Sequence, residues 1–306
     1  MTAAPNITWK SWLMVMSLAF VWGGTFMVTE LALRGITPFW LAASRIGFAA
    51  LVMTSIWATR GFALFERRLT RGEIISVLII GAASSAVPFS LLAWGQQHVT
   101  SGFAGVSMAS SALIVLPLAH FLVPGERLTL RRVAGFAIGF CGVAILIGGQ
   151  ALESAGSALE MQGRIACVAA SACYATSAVL MRRLPPVDPI GLATVVLIVA
   201  TTLIVPAALA AEGVPPLPDG QTLAILGFLG LIPTAAANLL RVLVIRSAGP
   251  VFMSLVNYQV PVWSVVLGAL ILSEPLPSSM LFAMSFILAG VALSQLDALK
   301  SLFARS

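Results

Sequence analysis

Runs of apolar residues, each about 20 residues long, recur along the chain from Trp12 to Gln295. An α-helix of about 20 residues spans the roughly 30 Å hydrocarbon core of a bilayer. Inside lipid the backbone must satisfy its own hydrogen bonds, which leaves helices and closed barrels as the options. The runs are continuous, whereas a transmembrane barrel requires alternation of apolar and polar residues. The pattern therefore predicts an all-α polytopic membrane protein.

The composition excludes a soluble domain as the main body of the protein. Of the 306 residues, 59% are hydrophobic and only 9% are charged, whereas soluble domains carry about 25% charged residues. The net charge of +6 could indicate a nucleic-acid partner. The basic residues, however, lie in short loops between apolar runs, where membrane proteins carry their topology signals. We therefore expect a lipid bilayer, and no nucleic acid, around this chain.

Proline, glycine and charged residues divide the apolar runs into ten predicted helices. With the N-terminus inside, 13 lysines and arginines fall in cytoplasmic segments and two fall in outer loops. Because positively charged loops stay in the cytoplasm, both termini are expected there, with the protein in the inner membrane. The approximate helix bounds are 11–31, 38–58, 73–95, 101–123, 132–149, 163–181, 189–210, 222–244, 250–273 and 278–296.

The chain contains an internal repeat at a shift of 148 residues, at which 125–128 aligns with 273–276 and 141–144 with 289–292. The alternative is that membrane helices resemble one another by composition alone. The repeat predicts two five-helix units, 1–149 and 150–306. Because five is odd, the second unit must enter the membrane from the opposite side. Inverted repeats around a central cavity are typical of secondary transporters, whose substrate site lies near the midplane.

Short motifs in both halves also carry a family resemblance. They are Trp22-Gly23-Gly24, Arg45, the segment Gly125–Thr129, and Pro261 followed 13 residues later by Glu274. On these residues the whole chain resembles the EamA type of the drug/metabolite transporter superfamily. Its overall likeness is to the YddG branch of that family, inner-membrane exporters of aromatic amino acids. The resemblance implies a ten-helix carrier and, as substrate, an aromatic amino acid.

Prolines interrupt four predicted helices at Pro88, Pro117, Pro233 and Pro261. Each removes a backbone hydrogen bond and bends its helix. Such defects persist in lipid only where protein or a water-filled cavity covers them. Because helices 3 and 4 correspond to helices 8 and 9, the placement repeats between the halves and predicts a cavity lining. Improved packing alone is the alternative.

Helix 9 carries one polar stripe, formed by Ser254, Asn257, Pro261 and Ser264 at helical spacing. An amide facing lipid is costly, so the stripe is expected to face the interior. Hydrogen bonding between helices is the alternative reading. The predicted cavity lining comprises Trp22, Gly23, Ser84, Ser85, Pro88, Ser107, Ser110, Ser111, Tyr174, Asn238, Asn257, Tyr258, Gln259, Pro261 and Trp263.

Charged residues are expected away from the membrane centre. Arg45 is predicted to snorkel or to pair with Glu30 across the outer mouth, and Arg241 and His120 to be interfacial. A centre without charge favours an apolar or zwitterionic solute. The Gly135-x-x-x-Gly139 face of helix 5 permits close helix packing, either inside the bundle or in a dimer, so both monomer and homodimer stay open.

The predicted function is secondary transport that exports small neutral or zwitterionic metabolites, with aromatic amino acids favoured, by alternating access. A multidrug or organic-cation exporter is the alternative, followed by a channel or a membrane-embedded enzyme. The enzyme is disfavoured because the sequence has only two histidines and no metal-ligand cluster. No catalytic residue, metal or cofactor is therefore expected.

Overall fold

The computed structural model describes residues 7–123, 128–148, 158–215, 217–296 and 300. The Glu126 part of the first-half motif, the proposed boundary at 149/150 and both chain ends lie outside these residues. The helices are α1 Trp9–Ala32, α2 Pro38–Thr59, α3 Arg71–Gly95, α4 Ser101–Leu122, α5 Leu130–Gly148, α6 Glu160–Arg182, α7 Pro189–Glu212, α8 in three segments (Gly220–Gly230, Leu231–Ala236 and Ala237–Ala248), α9 Val256–Leu272 and α10 Ser278–Ser294.

Eight of the described helices, α1 to α8, are long and apolar enough to cross a membrane, judged by length and composition. The remaining two, α9 and α10, are apolar but have only 17 residues each. α9 is short for a local reason. The helix is interrupted just before Val256, and a separate four-residue helix, Pro250–Met253, precedes the interruption. The fold is therefore all-α with eight candidate spans.

Side-chain caps fix where five of these helices begin. Thr8, Thr70, Thr100, Asp188 and Asp219 each accept a hydrogen bond from a backbone N–H in the first turn of the following helix. Such a cap satisfies one of the donors that a helix start leaves unpaired. These hydroxyl and carboxylate caps make the starts of α1, α3, α4, α7 and α8 predictable from the sequence.

Two of the four predicted interruptions, at Pro88 and Pro233, occur in the structure, each as a wide π-helical turn beside the proline. In α3 the turn spans Ala82–Ala86 and precedes Pro88. In α8 it spans Leu231–Ala236 and contains Pro233. A π-turn leaves backbone carbonyls without their usual helical partners, and such turns are frequent at functional sites.

The prolines of α4 and α9 do not interrupt their helices where the sequence predicts. Pro117 and Pro261 lie inside continuous helix. The breaks come earlier, at Ala109 in α4 and at Leu255 before α9, where N–H groups bond the carbonyl three residues back. A proline disturbs only the turn before it, so these tightened turns have a different origin.

The bundle packs as two similar halves. α2 packs against α7, and α5 packs against α10. α1 contacts α9 and α8, and its counterpart α6 contacts α4 and α3. The pattern of contacts is therefore unchanged when each helix is exchanged with the helix five positions away in the chain. Glycines repeat it in detail, since Gly81 of α3 lies against the Val196 carbonyl of α7 and Gly230 of α8 lies against the Arg45 carbonyl of α2. By this correspondence Val196 is the counterpart of Arg45.

The glycine face of α5 is buried inside the bundle. A Cβ on Gly135 would meet the backbone of Gly290 and Ser294, and one on Gly142 would meet that of Ala283 and Ile287, all in α10. Of the two alternatives, packing within the bundle is therefore confirmed, and a dimer seam on this face is wrong. Small residues are the usual means of close helix approach in membranes.

Apolar side chains cover the outside of the bundle as well as its core. Leu51, Phe121 and Leu270 are among many large apolar residues with most of their surface exposed. Water would not tolerate so much exposed apolar surface on a soluble monomer. The outer surface therefore fits a bilayer, and polar groups in the interior become the informative ones.

Candidate functional site

The guanidinium of Arg45 lies in the interior, between helices of both halves. Its Nε donates a hydrogen bond of 2.9 Å to the Thr234 hydroxyl of α8. Its Cζ lies 4.1 Å from the centroid of the Phe89 ring of α3, a cation–π contact. Tyr174 of α6 is close enough to interact with its charge. The side chain is only 8% exposed, so α2, α3, α6 and α8 surround it.

This guanidinium lies at the middle of the bundle's depth. Thr234 is 14 residues from each end of α8, at Gly220 and Ala248, and 14 residues correspond to roughly 21 Å of helix. The expected pairing of Arg45 with Glu30 is wrong, because no ion pair joins them and Glu30 lies instead near Glu274 and Arg34. The expectation of a charge-free centre is also wrong, because the Arg45 guanidinium lies at mid-depth.

The π-turn of α8 presents carbonyl groups beside Arg45, and polar side chains satisfy them. Trp22 Nε1 donates to the Pro233 carbonyl at 3.0 Å, and Asn238 Nδ2 donates to the Thr234 carbonyl at 2.5 Å. The Thr234 hydroxyl donates to the Leu229 carbonyl at 2.8 Å while it accepts from Arg45. The structure thus brings three predicted lining residues, Trp22, Tyr174 and Asn238, to one cluster around Arg45.

Two polar side chains are exposed on helix faces that are otherwise buried. Asn257 is exposed although it shares its helix face with buried Pro261, Ser264 and Gly268. Its exposed surface therefore faces the interior and not lipid. This placement agrees with the expected orientation of Asn257, although contact with a substrate stays a prediction.

Arg241 has the same kind of position on α8. It is exposed, yet it lies on the face that carries buried Thr234 and Val244, one turn beyond Asn238. Arg241 lies about 10 Å inside the end of α8 at Ala248 and four residues before the end of the candidate span Gly220–Ile245, so its expected interfacial position stays a prediction. Asn257 and Arg241 are thus exposed polar residues on helix faces that are otherwise buried.

Carboxylates join helices at the other end of the bundle. The Glu274 carboxylate accepts hydrogen bonds of 2.8 and 3.0 Å from the Ser101 and Gly102 N–H groups at the start of α4. The Glu212 carboxylate accepts in the same way from the Phe39 and Trp40 N–H groups at the start of α2. Anions are favoured at helix N-termini, so both contacts hold helix ends together.

Other predicted lining residues lie in helix contacts. Gly23 packs against Val260 and Trp263 of α9, and Ser264 of α9 fills the space beside Gly105 of α4. The Trp263 ring makes an edge-to-face contact with the ring of Phe20, at 5.1 Å between centroids, and Phe20 is 48% exposed. For Gly23 and Trp263 the structure therefore shows packing between α1 and α9 where the sequence led us to expect a cavity wall.

The polar stripe of helix 9 does not act as one surface. Ser254 bonds the Gln295 side chain, and Ser264 is fully buried and bonds the Pro261 carbonyl. Gln259 bonds the Leu255 carbonyl of its own helix turn on a different face from Asn257. Hydrogen bonding and packing thus account for most of the stripe, and Asn257 is its accessible member.

The remaining candidates are serines, prolines and one tyrosine near the interior. Ser107 and Ser111 donate to carbonyls three residues back. The hydroxyls of Ser84, Ser110 and Tyr258 are buried without a hydrogen-bond partner. Ser85, Pro88 and Pro261 are buried, and the Pro261 carbonyl accepts the hydrogen bond from Ser264. Groups of residues that could hold a metal ion do not occur in the described part of the chain.

The family assignment follows from a comparison along nearly the whole length. The EamA-like transporter family matches residues 9–148 and, separately, residues 161–296. The chain belongs to the EamA-like transporter family. The two matches correspond to the two packed halves, so this EamA protein contains two repeats of the family unit. It is a multi-span membrane transporter for a small molecule and not an enzyme.

Curated relatives extend the comparison. A probable terminal-alkyne amino-acid exporter of Streptantibioticus cattleyicolor is 27% identical over 135 residues, 44% of this chain and 43% of that protein. An S-adenosylmethionine/S-adenosylhomocysteine transporter of Chlamydia muridarum is 23% identical over 295 residues, 90% of this chain and 88% of that protein. The match covers only 43% of the length of the Streptantibioticus exporter and 40% of the length of another curated relative.

A solved crystal structure of a protein has the same fold. It matches with a TM-score of 0.65 and 19% identity, over 94% of this chain and 98% of that one. At this identity the likeness concerns the fold alone. The narrower resemblance to the aromatic amino acid exporters stays a prediction.

Proposed function

We propose that this EamA protein is an inner-membrane carrier that exports amino acids or similar zwitterionic metabolites by alternating access. The observation that carries the proposal is the polar cluster around Arg45, to which both halves contribute side chains. We infer that a passage reaches it from the end at which Asn257 and Arg241 are exposed, and that the helix contacts of Glu274 and Glu212 hold the other end closed. A site between two halves that opens to one side at a time is the arrangement of a carrier.

The substrate class follows from the chemistry of the cluster. Trp22, Phe89 and Tyr174 offer aromatic surface, and Arg45 offers a cation. An organic cation is disfavoured because it would meet a like charge at mid-depth. Relatives named for an amino acid and for S-adenosylmethionine support a substrate with an amino acid group. An aromatic amino acid fits both parts of the cluster.

Ten crossings in two inverted halves complete the proposal. α9 and α10 are short, but a tilted or locally thinned bilayer accommodates short spans at modest cost. The exchange of contacts between helices five apart supports a two-fold relation. We expect reporter tags at the two termini to lie on the cytoplasmic side in intact cells, as the distribution of lysine and arginine indicates. Termini on opposite sides would mean an odd number of crossings.

Transport itself is tested by counterflow in proteoliposomes. Vesicles loaded with unlabelled amino acid are expected to accumulate the labelled form transiently for at least one member of a panel of the twenty standard amino acids. A channel would equilibrate label without such accumulation. Absence of counterflow for every member, with protein that is folded and inserted, would reject the proposed substrate class.

Replacing Asn257 with alanine is expected to lower counterflow about three- to tenfold, because a hydrogen-bonding group is lost from the passage. Gln259→Ala is the matched control, since it removes a similar amide two residues away that bonds its own helix turn. Both variants are expected to insert normally. Equal transport by the two variants would remove Asn257 from the passage.

A further inference from the structure

We propose that Arg45 binds the carboxylate of the transported solute at mid-depth of the bundle. The proposal rests on the proposed function and specifies one group of the substrate. The sequence alone places Arg45 at the outer mouth. Its position in the structure, however, gives it the properties of an anion site.

The outer nitrogens of the guanidinium are free to bind a ligand. Arginine has five N–H donors, and the structure uses one of them, on Nε, for the Thr234 hydroxyl. Within the described residues neither Nη atom donates a hydrogen bond, and neither is among the buried polar atoms that lack a partner. Each Nη atom thus keeps some accessible surface, although the residue as a whole is only 8% exposed. Their fork geometry matches the two oxygens of a carboxylate.

The charge of Arg45 has no acidic partner in the described part of the chain. Arg164 gives the contrast within the same protein. It is equally deep in protein, and its guanidinium pairs with Glu160 and donates to the Ile147 carbonyl at 2.8 Å. A buried cation without a counter-ion is costly, and in membranes such residues mark substrate pathways. An anionic group from the solute would neutralise Arg45.

Neighbouring side chains hold the guanidinium in place. Thr234 fixes Nε, and Phe89 lies against the guanidinium face. Thr234 is in turn fixed through its bond to the Leu229 carbonyl. Preorganisation of this kind keeps the entropic cost of binding low.

The two halves differ at this position, which limits the solute to one carboxylate here. Val196 of α7 corresponds to Arg45 through the matching contacts of Gly81 and Gly230. The second half therefore has an apolar residue where the first half has a cation. This asymmetry suits an amino acid bound by its one carboxylate and disfavours a symmetric dianion.

Competition with amino acid amides tests the proposal without any variant. For each amino acid that shows counterflow, the acid and its primary amide are compared as unlabelled competitors. We expect the acid to compete at least about tenfold better, the factor for loss of a charge-assisted hydrogen bond. Equal competition by acid and amide would overturn the role of Arg45 and leave the carrier function standing. No counterflow by any amino acid would reject both.

Variants of Arg45 test whether this residue causes the preference for the acid over the amide. In Arg45→Met the ratio of acid to amide competition is expected to fall to about one, and in Arg45→Lys to stay above that value, because the charge remains but the fork is lost. Arg67→Gln is the matched control, since it removes the same charge from an exposed loop. A full preference in Arg45→Met would overturn the proposal, as would its loss in Arg67→Gln.

Discussion

Replacement of Gly290 by valine is expected to prevent recovery of folded protein. A Cβ at this position would lie 2.5 Å from both the Gly135 carbonyl oxygen and the Gly139 amide nitrogen of α5. Both atoms belong to backbone and cannot rotate away, so α5 and α10 would have to separate. Close packing of small residues is a main source of helix association in membranes. We expect destabilisation of more than about 3 kcal/mol.

Gly227 provides the matched control within the same bundle. A Cβ on this α8 residue would meet no atom within 4 Å, so Gly227→Val should change stability little. The measurement is the monodisperse fraction after detergent extraction, together with the midpoint of thermal unfolding. If Gly290→Val unfolds at the same temperature as the wild type, the described contact between α5 and α10 is wrong.

Replacement of Glu274 by glutamine is expected to open the end of the bundle that this carboxylate closes. The variant loses the negative charge that two N–H groups of Ser101 and Gly102 now share. Charge-assisted hydrogen bonds of this kind contribute about 1–3 kcal/mol. The population open at this end should therefore rise by about five- to a hundredfold.

Alkylation of a single introduced cysteine measures this opening. Thr29 of α1 lies one residue before Glu30 and is only 4% exposed, so Thr29→Cys in a background without the native cysteines should react faster with an external maleimide when Glu274→Gln is added. Glu73→Gln is the control, because Glu73, in the first turn of α3, bonds Arg67 and the Thr70 N–H of the segment just before it. Equal rates in the two backgrounds would show that Glu274 does not hold this end closed.

Much of the fold could be predicted from the sequence because lipid leaves the chain few options. Long apolar runs must be helices, and caps such as Asp188 and Asp219 determine where they begin. The repeat at a shift of 148 residues predicts the two similar halves. It also pairs Gly142 with Gly290, and both lie in the contact between α5 and α10.

The direction of long side chains could not be predicted in the same way. Arg45 is seven residues from the start of α2, which suggests an outer position, yet its side chain reaches the π-turn of α8. Only the packing of α2 against α8 decides this direction. The signal in the sequence is the rarity of a charged residue within an apolar run, which by itself marks a functional candidate.

Helical spacing was also insufficient to assign the polar residues of α9. Asn257 and Ser264 share a face, but Gly105 of α4 leaves room for Ser264 to be buried while Asn257 stays accessible. Trp263 lies against Gly23 of α1, and its ring packs on Phe20 of the same helix. Such distinctions depend on which neighbouring helix approaches at each level, information that one helix does not contain.

Distances between spin labels at both ends of the bundle test alternating access most directly. One pair is placed at Gln97 and Leu217, in exposed loops at the closed end, and the other at Phe62 and Ser247 at the opposite end. On addition of a transported amino acid, the account predicts that the distance between Gln97 and Leu217 lengthens while that between Phe62 and Ser247 shortens. Two distances that stay fixed, or that lengthen together, would contradict a carrier that opens to one side at a time.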